Sequence, residues 1–282
     1  LLSQFLKTLY DDGFIRRDAE TGKATFDLAR IRAADVTDNV VDLMAAKLAR
    51  LPEATRHALA VAACAGGRFD LKTLALATGG EPRALMRELW PALKEGLLLP
   101  IGEAYLFADD AELDADVPFR FLHDRVQQAA VQQSDEAERE HIHLRLGRIL
   151  LSSLAEAQRE ERVFEIVNHL ERGRRLLGDD VGALAELSAL SVRAGKKAKS
   201  CAAFERASHY FASAASLLPA DAWQSDYARA FDVHREAAEC AYLSGARSDA
   251  EQRFASLAAH ADDGVGVGDL WRLRVVFLNN QT

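Results

Sequence analysis

The sequence predicts a mainly α-helical fold: a winged-helix domain with a small β-hairpin or sheet, followed by a longer α-helical array. Three observations predict it. Between Pro52 and Phe121, three apolar helical stripes punctuated by Gly66-Gly67 and Gly79-Gly80 lead into strand-like runs at Leu97–Ile101 and Phe119–Phe121, the element order of a winged helix. Beyond Ala130, apolar residues recur at helical spacing almost throughout. In that second half, small and aromatic residues also return in a repeat-like pattern.

Residues 1–51 read as the end of a preceding module, a helical lid with a β-hairpin. Leu2, Phe5, Leu6, Leu9 and Tyr10 make a helical stripe ended by Asp12-Gly13, with glycine as C-cap. Phe14–Arg17 and Lys23–Phe26 flank Glu20-Thr21-Gly22, the pattern of a hairpin. Leu28–Ala33 predicts a short helix. Thr37 or Asp38 then caps another, which carries Val40, Val41, Leu43, Met44, Leu48 and Leu51.

Residues 52–133 carry the winged helix. Pro52 starts a helix filled by Leu59, Val61, Ala62 and Cys64 and closed by Gly66-Gly67. Phe69 to Ala77 reads as a second helix, stopped by Gly79-Gly80. Glu81-Pro82 opens a third, bearing Leu85, Met86, Leu89, Trp90 and Leu93, interrupted by Pro91 and ending at Glu95-Gly96. Leu97–Ile101 is strand-like, Tyr105-Leu106-Phe107 is its expected partner, and Asp109 to Asp116 is an acidic solvated loop. In the third helix Glu81, Glu88 and Glu95 offset Arg83, Arg87 and Lys94. That balance argues against DNA, whose backbone requires an excess of Lys and Arg.

Phe119-Arg120-Phe121 alternates as a half-buried strand and runs straight into a helix carrying Leu122, Val126, Ala129 and Ala130. His123 and Asp124 stand at the joint. A helix start presents free backbone N–H groups and a partial positive charge, so an imidazole there is placed to meet an anion, with Asp124 orienting it or capping the helix. The plainer alternative is that His123 caps the helix or fills a polar niche.

Residues 134–282 form the array. Asp135–Leu154 carries Ile142, Leu146, Ile149 and Leu150; Val163–Leu177 carries Phe164, Ile166, Val167 and Leu170; Leu184–Val192 leads to Ala194-Gly195. Gly195, Ala207, Phe211, Ala214 and Pro219 have the spacing of the small and aromatic positions in a tetratricopeptide unit, partly repeated at Gly245, Ala250 and Phe254. Small residues let the helices of a hairpin approach closely while the aromatic fills the next unit. Gly264 to Gly268 reads as a turn before an apolar run from Leu270 to Leu278.

Composition narrows the function classes. No apolar run reaches the ~20 residues of a membrane helix, and a net charge of −8 with pI 5.6 argues against a surface built for nucleic acid. Cys64, Cys201 and Cys240 are odd in number and far apart, which fits core thiols in a reducing cytoplasm and neither a disulfide frame nor a zinc site. His141 and His143 point to different sides of a helix, so a shared metal is not expected. Ser134, Ser152, Ser153 and Ser200 lack a nucleophile's surroundings. The carboxylates from Asp109 to Asp116 lack the glycine and terminal glutamate of a calcium loop. His169 reads as a packed core residue. With no initiator Met and an end at Asn279-Asn280-Gln281-Thr282, the chain reads as a segment of something longer.

Several linked motifs carry a resemblance. Val40-Val41-Asp42-Leu43-Met44 with Leu48-Ala49-Arg50-Leu51-Pro52, then Leu89 to Leu97, Phe121 to Ala130, and Glu165-Ile166-Val167-Asn168-His169-Leu170 resemble the middle of large bacterial AAA/STAND-type signalling ATPases. In those proteins the ATPase module lies between a serine/threonine kinase-like domain and C-terminal GAF and sensor histidine kinase domains. The resemblance implies that Leu122-His123-Asp124 matches the family's hydrophobic-His-Asp motif. His123 would then contact the β-phosphate of bound ADP, with Asp124 as its support.

The same resemblance implies ATP or ADP with Mg²⁺ as cofactors, held mainly by a core outside this segment. The chain itself has no Gly-x-x-x-x-Gly-Lys-Ser/Thr loop, so no catalytic residue is assigned and tight nucleotide binding by the segment alone is not expected. The implied partners are an upstream ATPase core and downstream kinase domains of the same chain, a protein on the helical array, and other copies through oligomerisation. The implied role is cytoplasmic signal transduction of the two-component kind, relaying nucleotide state and partner binding to kinase output. Two alternatives stand beside it: an inducer-sensing segment of an ATP-dependent transcription activator, and an interaction scaffold with no nucleotide role.

Overall fold

The computed structural model describes residues 10, 13–17, 24–26, 44–102 and 117–260. The stripe expected at residues 2–9, the turn at 20–22, the helix at 28–33, the strand at 105–107, the acidic run at 109–116 and everything expected after residue 260 lie outside them. The described residues are mainly helical with two small antiparallel sheets, as the sequence predicts. The chain divides into two compact units, Leu1–Ile149 and Leu150–Thr282.

In the first unit, β1 (Ile15–Arg17) and β2 (Ala24–Phe26) pair antiparallel with Ile15 opposite Phe26, the hairpin expected from the sequence. Gly13 takes φ +73° and its N–H reaches the Tyr10 carbonyl at 3.1 Å, the left-handed ending that glycine allows. Residues 44–49 are helical, with Met44 and Leu48 buried.

The next elements have the winged-helix order: α1 (Glu53–Ala65), β3 (Arg68–Asp70), α2 (Leu71–Thr78), α3 (Pro82–Lys94), β4 (Leu98–Pro100), β5 (Pro118–Phe121) and α4 (Asp124–Val131). The sheet order is β3-β5-β4, antiparallel throughout. Leu59, Leu74, Leu85, Leu89, Leu97 and Phe119 fill one core beneath it.

Two expectations need correction here. Phe69 belongs to β3, not to the second helix: Asp70 has extended backbone and its carboxylate accepts the Thr73 N–H at 2.6 Å, so the helix starts at Leu71 and the residues before the cap go to the sheet. Phe69 then lies opposite Phe119, their rings stacked 5.9 Å apart. Pro91 does not interrupt the third helix. The last turn persists, with the Glu95 N–H on the Pro91 carbonyl at 3.1 Å, held between Leu89 and Ala92, both fully buried.

The helix α5 (Glu136–Ser153) contains the division between the units. The second unit continues with α6 (Glu156–Glu161), α7 (Val163–Arg172), a 3-10 turn (Arg174–Leu177), α8 (Val181–Ser200), α9 (Phe204–Ser216), α10 (Ala222–Ser225), α11 (Tyr227–Leu243) and α12 (Arg247–His260). Sequence periodicity gives no sign of α6, which has no buried residue. Charge holds it instead: Arg193 of α8 pairs with Glu156 at 2.7 Å and Glu160 at 2.6 Å, and the Lys197 ammonium donates to the Glu160 and Glu161 carbonyls.

The helix expected from Leu184 to Val192 runs on through Ala194 and Gly195 to Ser200. Gly195 is a contact, not a stop. A Cβ built there would meet three ring carbons of the fully buried Phe211 at 2.9 Å, so its missing side chain is what lets α9 seat against α8. Seryl hydroxyls bind this seam and the next, Ser188 of α8 donating to the Ala214 carbonyl of α9 at 3.1 Å and Ser208 of α9 to the Ala237 carbonyl of α11 at 3.3 Å.

Candidate functional site

The joint between β5 and α4 is built by alternation. Phe119 and Phe121 point into the core, where both meet Phe69, which leaves Arg120 on the outer face. The Leu122 N–H bonds the Leu97 carbonyl at 3.0 Å, so β4 fixes where the strand ends. Behind the joint, Val126, Ala129 and Ala130 bury against the core, and the Gln127 amide donates to the Ala63 carbonyl at 2.9 Å, fastening α4 to α1.

His123 is the residue before the helix. Its backbone is extended and its carbonyl accepts the Val126 and Gln127 N–H groups, at 3.0 and 3.3 Å, while its side chain makes no capping hydrogen bond. Asp124 is the first helical residue, exposed, in the turn where a negative charge suits the helix dipole. It therefore does not cap the helix, one of the two jobs that sequence spacing offers it. Burial pushes the half-buried His123 ring below its ordinary pKa, with Arg120 acting in the same direction and Asp124 against it. In its neutral form the ring offers one nitrogen as a donor and the other as an acceptor.

Strand register adds a second cation. Arg120 lies directly opposite Arg68 of β3, and because the Phe121 N–H bonds the Gly67 carbonyl, the two arginines form a non-hydrogen-bonded pair, the type in which facing side chains come closest. Both are exposed, and among the described residues neither joins an ion pair with an acid. Along the flank of α4, Asp124, Gln127, Gln128, Val131, Gln132 and Arg139 line an open cleft of about 550 Å³. Arg139 there donates to the Ser134 carbonyl.

Sequence reading finds His123 and Asp124 because they stand side by side at the strand-to-helix joint; it reads Arg120 only as the outward residue of the strand. It misses Arg68, 52 positions before Arg120, because only strand register joins them. His141 is exposed and His143 buried on one helix, and His169 is buried, as expected for a packed core residue. Among the described residues no group of His, Cys, Asp and Glu that could hold a metal occurs. No helix among them is long and apolar enough to cross a membrane. Cys64 and Cys240 are buried thiols, but Cys201, expected in the core, is exposed in the turn after α8 because that helix ends at Ser200.

Compared with known proteins, no family model matches the chain and no solved structure matches it. The chain is similar to a hybrid signal transduction histidine kinase, kinase G of Dictyostelium discoideum, with 24% identity over 321 aligned positions that cover 96% of this chain and 9% of the kinase. The chain spans less than a tenth of that relative's length. The likeness relates it to a segment of a signal-transduction kinase.

Proposed function

We propose that the chain is a regulatory segment of a multidomain signalling protein of the STAND ATPase-coupled kinase type, in which the β5–α4 joint reads the phosphate of a nucleotide held by an ATPase core elsewhere in the parent. The observation that carries this reading is the placement of a half-buried His123 at a helix start beside Arg120. A neutral imidazole N–H and a guanidinium both donate to a phosphate oxygen, and the helix start favours the same charge. Asp124, the next residue, is the support for the ring in this reading. The joint supplies too few donors to hold a nucleotide by itself, so it acts as a sensor: ADP or ATP, with Mg²⁺, is bound by the core, and the joint favours one arrangement of the parent.

The helical array then binds a protein partner or another part of the parent and passes the state to kinase domains. Similarity to a segment of a hybrid histidine kinase supports a place in signal relay. The test is ADP calorimetry on this chain and on a longer protein that restores the upstream core, each with and without His123→Ala. Tight binding by the longer protein alone, weakened about tenfold or more by the substitution, is expected for loss of one charge-assisted contact. Equal ADP affinity with and without His123 would make the histidine structural and favour the scaffold alternative.

A further inference from the structure

The third helix of the first unit has a face whose charge the sequence conceals. Counted along the chain, α3 is balanced. Residues on a helix are separated by rotation, about 100° per position, and rotation sorts this one. Arg83, Arg87, Trp90 and Lys94 fall on one stripe about 60° wide, whereas Glu81, Glu88 and Glu95 lie roughly 130° around the helix. The structure bears out the sorting: Arg83, Arg87, Trp90 and Lys94 are all exposed, Trp90 at 49%. Of the three acids, Glu88 is half-buried, its carbonyl accepting the buried Thr55 hydroxyl of α1 at 2.7 Å, while Glu81 and Glu95 are exposed at the two caps, outside the helix itself. The Lys94 ammonium stands 5.9 Å over the Trp90 ring. The buried stripe, Leu85, Met86, Leu89 and Ala92, faces the core, so core packing does not require Trp90 where it is.

From this we propose that the exposed α3 stripe is a docking surface for an acidic helix of a partner protein, with Trp90 as the apolar anchor and Arg83, Arg87 and Lys94 as the cationic rim. Trp and Arg are the side chains that dominate protein-interface energetics, an aromatic anchor ringed by polar contacts being the usual arrangement. The stripe spans three turns, about 16 Å, enough to meet a similar length of partner helix. Charge complementarity selects an acidic partner.

Nucleic acid fits less well. In sequence, Asp109, Asp110, Glu112, Asp114 and Asp116 stand between β4 and β5, and the chain as a whole is at −8. Both repel a phosphate backbone. Docking at this face requires no nucleotide.

The experiment uses the full 282-residue chain and a synthetic, fluorescein-labelled helix of about fifteen residues, with glutamates flanking a central leucine, about two residues longer than the stripe at each end. Fluorescence anisotropy should show saturable binding that is lost when the peptide's glutamates are replaced by glutamine. Arg87→Glu and Trp90→Ala should each weaken it about tenfold or more, and Arg87→Lys little. Circular dichroism establishes that the variants are folded; should Trp90→Ala fail to fold, Arg87→Glu, on an exposed position, decides alone. Absence of binding, binding indifferent to Arg87→Glu, or tighter binding of a DNA duplex that Arg87→Glu abolishes would each overturn the proposal.

Discussion

His169 shows what burial does to one titratable group. It is 6% exposed on α7, and burial pushes its pKa down to about 4, Arg172 and Arg162 acting in the same direction and Glu165 against them. The folded chain therefore keeps the ring neutral at pH values where the unfolded chain, titrating near 6.5, takes up a proton. Between those values the unfolded state binds more protons, so stability is complete above pH 6.5 and falls as the pH drops toward 4, by about 3 kcal/mol from this group. Urea unfolding measured across that range should show the decline, and His169→Leu should flatten it. His169 was legible in the sequence because it sits among Ile166, Val167 and Leu170 at helical spacing. The exposure of Cys201 was not, since nothing in its neighbourhood marks Ser200 as the end of α8.

At the scale of elements, caps and close contacts decide where helices begin and how near they lie. Asp70, Asp180 and Asp226 each accept a backbone N–H at the start of a helix. Asp70→Ala should lower the stability of the first unit by about 1 kcal/mol in denaturant unfolding. Gly195→Ala is more severe, because the new methyl would meet the Phe211 ring; a loss of about 1–3 kcal/mol is expected. Combining it with Phe211→Leu should give less than the sum of the two single losses, the signature of residues in contact. The helices of the winged helix were legible because Gly66, Gly79 and Pro82 punctuate apolar stripes. β3 was not, because Phe69-Asp70-Leu71 suits a helix locally and only pairing with Phe119, far along the chain, draws it into the sheet. Nor was α6, which owes its place to Arg193 and Lys197, more than 30 positions away. The same limit hid the charged face of α3: composition sums charges that the helix separates.

Across the whole molecule, the three cysteines provide a gauge for each unit. Cys64 is buried in the first unit, Cys240 in the second, where burial pushes its thiol up to about 11, and Cys201 is exposed. A colourless disulfide reagent that releases a coloured thiol should consume one equivalent at once. The other two should react only as fast as their own units open, because thiolate and access are both required. Mass mapping of the modified cysteines separates the two units in one experiment. That gauge bears on the facing arginines of the sheet. Arg68 and Arg120 repel across β3 and β5, whereas α6–α8 and α8–α11 are joined by attraction, through Arg193 with Glu156 and Glu160 and through Lys199 with Glu236 and Glu239. Dissolved salt weakens both effects. Raising ionic strength should therefore slow the reaction of Cys64 and hasten that of Cys240, and a single melting temperature quoted for this chain would average two responses of opposite sign.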